Sequence, residues 1–203
     1  ADVLSLDAAL QNSYAKHVLD GKTLPFAMHG LYSLRASVPT GSTLFSLPIA
    51  RGFTRLSTVY ITFWDDTGKW VNGFFCPMKN AQNINDTEQD TFSWNLTIGA
   101  ERRPDFDVES VQEAYYRLRQ AQLIHHGTDS FSITSKKYQQ SEFVAALNLE
   151  RCPGGAAHSG VNTRAGSQLT INLRNTKTVT SVHVVLHYDQ VVNVSAAGVE
   201  VLD

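Results

Sequence analysis

The sequence predicts an all-β fold, a β-sandwich of about eight short strands with one inserted α-helix. Three observations carry that reading. After Pro25 the apolar period changes from about 3.6 to about 2. Short alternating runs then recur to the end of the chain, separated by loops rich in Gly, Ser and Asn. A capped helical pattern interrupts them at residues 110–123.

The elements follow in order. Ser5 to Gly21 reads as a short helix or N-terminal arm, with Ser5 as cap, a thin stripe of Leu6, Ala9, Leu10 and Ala15, and Gly21 to close it. This gives a division into an arm at 1–25 and a sandwich domain at 26–203. Leu31–Val38 and Thr43–Ile49 alternate as strands. Leu56–Trp64 is apolar and β-branched on both faces, the signature of a strand buried from two sides. Asp65-Asp66-Thr67-Gly68 supplies a turn and Lys69–Cys76 a return, so 56–76 reads as a hairpin. Thr91–Ile98 alternates most cleanly, with Phe92, Trp94, Leu96 and Ile98 on one face. In the helix, Ser110 and Glu113 form a capping box, Val111, Ala114, Tyr115, Leu118 and Ala121 the apolar stripe, and Glu113–Arg117 an i,i+4 ion pair. Strands resume at Phe131–Ile133, Glu142–Leu149, Gln168–Arg174, Ser181–Tyr188, Gln190–Val194 and Val199–Leu202. Eight strands with long corner loops favour the jelly roll among sandwiches.

Composition excludes several classes. The 203 residues are 42% hydrophobic and 18% charged, too apolar for a disordered chain, and they suit one domain. No apolar run approaches the roughly 18 residues that span a membrane. With 17 Lys+Arg against 19 Asp+Glu the formal charge is −2, so direct nucleic-acid binding is not expected. Cys76 and Cys152 read as buried free thiols of a reducing compartment. The sequons at Asn85, Asn95 and Asn193 read as chance matches, two of them inside strands. The start Ala1-Asp2-Val3-Leu4 has no signal-peptide pattern and no initiator Met, which suggests a chain processed or cut from a longer one.

The search for chemistry yields no catalytic, cofactor-binding or metal-ligating residue, and no enzyme is expected. His183 and His187 share a strand face, but about 13 Å apart, too far to hold one ion. His125-His126 does not complete a metal pattern. Asp65-Asp66 reads as a turn, and Asp105/Asp107 as a helix start. There is no nucleophile elbow and no phosphate loop, and Gly154–Gly160 reads as a flexible loop. Trp94 belongs to the core, while Trp64 and Trp70 flank one turn and leave a carbohydrate-binding module as the alternative.

Three stretches carry a resemblance. They are Glu101-Arg102-Arg103-Pro104-Asp105-Phe106-Asp107 with Glu113–Leu118, then Phe143–Glu150 with Gly160–Thr170, and finally Val182–Asp189 with Gly198–Asp203. Together they resemble the C-terminal portion of double jelly-roll major capsid proteins of eukaryotic DNA viruses and Polinton-like elements. The resemblance implies a viral structural protein that self-assembles with itself and with other capsid proteins. It implies a homo-oligomer, commonly a trimer or larger capsomer, in the icosahedral shell of a virion assembled in the host cytoplasm or nucleus. It brings no catalytic residue. Family members carry two rolls and this chain has room for one. The arm 1–25 and the loops 79–90 and 152–166 are the expected contact segments.

Overall fold

A computed structural model describes residues 7–64, 74, 76–78, 92–123, 132–151, 159–164, 166–176 and 179–202. Nine strands and three helices follow in the order α1 (Ala8–Leu19), β1 (Leu24–Ser37), β2 (Leu44–Pro48), β3 (Leu56–Trp64), β4 (Ser93–Ile98), β5 (Glu101–Val108), α2 (Val111–Ala121), α3 (Ser135–Gln140), β6 (Ala145–Asn148), β7 (Leu169–Arg174), β8 (Ser181–Ser195) and β9 (Gly198–Leu202) among the described residues.

The pairing defines the topology. β1 pairs with β8, β2 with β7, β3 with β6 and β4 with β5, every pair antiparallel. Such nested pairs are those of one long hairpin folded over on itself. The folding is completed where β3 also pairs with β8, and β4 with β7. Two sheets result, in the orders β1-β8-β3-β6 and β2-β7-β4-β5, with β9 added beside β8. This is a jelly roll.

Alternation sets the core between the sheets. Val59, Ile61 and Phe63 of β3, Trp94, Leu96 and Ile98 of β4, Ile171 and Leu173 of β7, and Val182, Val184 and Leu186 of β8 are all buried. The outer face of the second sheet is polar and cross-linked. Ser46 Oγ donates to Asn172 Oδ1 at 2.9 Å, Asn172 Nδ2 to Asn95 Oδ1 at 2.9 Å, and Asn95 Nδ2 to Asp107 Oδ1 at 2.6 Å. One side chain from each of four strands thus forms a ladder, which Arg102 and Arg174 complete by pairing with Asp107. Burial of the Asn95 amide in this ladder agrees with reading its sequon as a chance match.

α2 covers the outer face of β6. Ser110 Oγ accepts from Glu113 N–H at 3.2 Å, and Arg117 meets Glu113 at 2.7 Å, as the capping box and spacing predict. Its buried stripe is Val111, Ala114, Leu118 and Ala121. The outward-facing Ala146 is fully buried beneath it, because a methyl group lets helix and strand approach closely.

Some expectations are corrected. Asp105 and Asp107 lie in β5, not at a helix start, and Asp107 is held by the ladder. β5 escapes a pattern reading because it is charged and carries Pro104, both tolerated on an edge strand with irregular pairing. Ile133 lies outside any strand and leads into α3, whose Thr134 cap accepts from Lys137 N–H. Phe74, from the expected return of a hairpin, bridges Glu142 rather than β3, both of whose edges are occupied by β6 and β8. Ser181–Tyr188 and Gln190–Val194 are one continuous strand.

Candidate functional site

β8 is twice as long as the sandwich needs. Its first half lies between β1 and β3, and from Val191 onward its second neighbour is β9. β1, β8 and β9 therefore form a three-stranded ribbon that overshoots the opposing sheet. Register places Leu24, Val194 and Val199 in one row, Phe26, Val192 and Val201 in the next, and Met28 opposite Gln190. Side chains alternate along a strand, so these rows continue the face that Tyr188 and Leu186 present to the core. The core ends but the apolar face does not: Phe26 is 52% exposed, Met28 48%, Val199 66% and Val201 55%.

The end of the core is closed by Arg51. Its guanidinium carbon lies 5.2, 5.1 and 4.9 Å from the ring centroids of Tyr32, Phe53 and Tyr188, and it donates to the Tyr188 hydroxyl at 3.2 Å. The charge thus sits over three aromatic faces at the rim of the core. Gly30 is required opposite Tyr188, since a Cβ there would fall 2.3 Å from the ring.

On the outer face at the same level, His29 Nδ1 lies 2.8 Å from Asp189 Oδ1, and the His29 and His187 rings are 4.9 Å apart. His187 Nδ1 lies 3.0 Å from Ser57 Oγ, whose hydrogen goes to the His187 carbonyl oxygen at 2.8 Å. Nδ1 is then the donor to Ser57. Burial, and next the neighbouring His29, hold His187 below the usual histidine pKa, against a smaller opposing pull from Asp189 and Glu150. Ser, His and Asp occur together here, but not as a triad: Ser57 is buried and committed as a donor, and the carboxylate holds His29 instead of His187. Among the described residues, no three His, Cys, Asp or Glu side chains are placed to hold a metal.

His183 and His187 do share the outer face of β8, as expected, with His183 between Arg35 and Thr62 in the register. Trp94 is fully buried, and Trp64 is 38% exposed, edge-on to Phe74 at 6.4 Å. Cys76 is a free thiol that burial pushes up to about 11, too high for a nucleophile at neutral pH. His125, His126, Asp65, Asp66, Trp70, Cys152, Gly154, the 79–90 loop and most of 152–166 lie outside the described residues. Strand-by-strand patterning does not reveal the ribbon as a unit. Its available signal was the matched alternation of Phe26 and Met28 with Val192, Val194, Val199 and Val201.

Pairing order and layering thus define a jelly-roll sandwich with an apolar ribbon beyond its core. Solved structures share this fold. The chain is similar to the PBCV-1 virus capsid in its quasi-atomic model, with a TM-score of 0.59 at 12% identity over 97% of this chain and 54% of that one. It is similar, too, to PBCV-1 VP54 in the crystal structure fitted into a reconstruction of the virophage Sputnik, with a TM-score of 0.59 at 13% identity over the same shares. The chain spans about half the length of these proteins. No family model and no curated protein matches the sequence.

Proposed function

We propose that the chain is a capsid subunit, or the C-terminal part of a major capsid protein, that self-assembles into capsomers of an icosahedral shell. The observation that carries this is the extent of the likeness. It covers 97% of the chain. The resemblance in the three sequence stretches points the same way. In this reading the protein is structural, not catalytic, and its location is the virion. Its partners are copies of itself and other capsid proteins.

An apolar face left bare in a folded chain fits such a role, because association removes it from water. The test is solution mass by light scattering on a sizing column, with negative-stain images of the peak. Three copies of a 22.4 kDa chain give about 67 kDa. A trimer or larger ring is the expected result. A 22.4 kDa monomer at every concentration would overturn assembly by this chain.

A further inference from the structure

We infer that the bare face of the β1-β8-β9 ribbon is the seat of helix α1 from a second copy of this chain. The inference rests on the capsid reading and adds to it the surface and its occupant.

Among the described residues, two apolar faces lack a cover. One is the ribbon face, where Phe26, Met28, Val199 and Val201 together leave about 400 Å² of surface in water, within the range of the largest apolar patch on a monomer, a patch that is often functional. The other is α1. It has 12 residues, none of them buried, no side-chain cap and no acidic residue in its first turn. A helix of that length is marginal in water without something to pack on. Leu10, Tyr14 and Val18 recur every four residues and so form one stripe, with Leu10 and Tyr14 each 45% exposed.

The two faces match in size. Twelve helical residues extend about 18 Å, and the overshooting part of β1, from Leu24 to Gly30, about 20 Å. They are neighbours in sequence, separated only by residues 20–23, yet do not close on each other. A second copy can bring the stripe onto the ribbon where the chain's own helix does not. Each copy gives one helix and receives one. At about 400 Å² per face, each helix-on-ribbon contact buries about 800 Å², so a reciprocal exchange between two copies reaches about 1,600 Å² in one interface, while in a ring each interface holds about 800 Å² and closure has to add the rest. A heterologous exchange of this kind closes into a ring when the rotation allows.

The test mixes two full-length variants, Tyr14→Cys and Val201→Cys, under mild oxidation, and reads light-scattering mass alongside. A cross-link between copies is the expected result, and Phe26→Asp and Leu10→Asp are each expected to reduce assembly mass while Leu44→Asp, on the far sheet edge, does not. Assembly that persists in both variants without a cross-link would overturn the exchange and leave the capsid reading standing. A link within single chains of a Tyr14→Cys/Val201→Cys variant at high dilution would place the helix on its own ribbon and also overturn it. A wild-type chain that stays at 22.4 kDa would mark failure of the assembly reading itself.

Discussion

The sharpest electrostatic consequence at the residue scale belongs to His187. Its ring is kept neutral by burial and by the nearby His29, so in the folded chain it takes a proton less readily than in the unfolded chain, whose histidines titrate near 6.5. Between 6.5 and the lower folded pKa, the unfolded state therefore binds more protons, and stability falls as pH falls through that window. Above 6.5 both states are neutral at this position and the effect is absent. The neighbouring groups that act on it are His29, which lowers its pKa with burial, and Asp189 and Glu150, which oppose that. Urea midpoints measured at pH 7.5 and 5.5 are expected to drop less in His187→Gln than in the wild type. Equal drops in the two proteins would show that His187 does not titrate differently on folding.

At the scale of elements, α2 was fully legible in the sequence because a capping box and a 3.6-residue stripe are local signals. Its stability is correspondingly local at one end. Ser110→Ala removes the acceptor for Glu113 N–H and is expected to cost about 1 kcal/mol, while Leu118→Ala opens a cavity beside β6 and is expected to cost about 2–5 kcal/mol. Chemical denaturation of both variants checks the order, and a larger loss for Ser110→Ala would contradict the helix-on-strand packing. β4 and β7 were legible to within two residues because their alternation faces a core, and β3 because its apolar, β-branched run is bounded on both sides. β5 was not, since its fold is dictated by Asp107 reaching Asn95 across the sheet, a contact 12 residues apart in sequence. α3 was hidden because one buried residue, Tyr138, anchors six, too few to show a period.

Over the whole molecule, the same strand passes through two environments. From Val182 to Tyr188, β8 has a strand on each side and a core beneath it; from Val191 to Val194 it still has a strand on each side, but no core. Pattern alone could not reveal this, because the alternation is equally good in both halves and only the length of the opposing sheet decides which apolar residues are covered. Backbone pairing without burial contributes little net stability, so local opening of the ribbon costs less than opening of the sandwich. Hydrogen exchange in dilute protein is accordingly expected to be fast at β9 and at Val191–Val194, and slow at Val182–Leu186, although all are paired in the sheet. Raising the concentration until copies associate is expected to slow exchange at the ribbon selectively, since only the ribbon gains a cover. Uniform protection along β8 at low concentration would mean that the ribbon is already covered in the single chain. Protection that rises at the sandwich but not at the ribbon would move the contact between copies to another face of the roll.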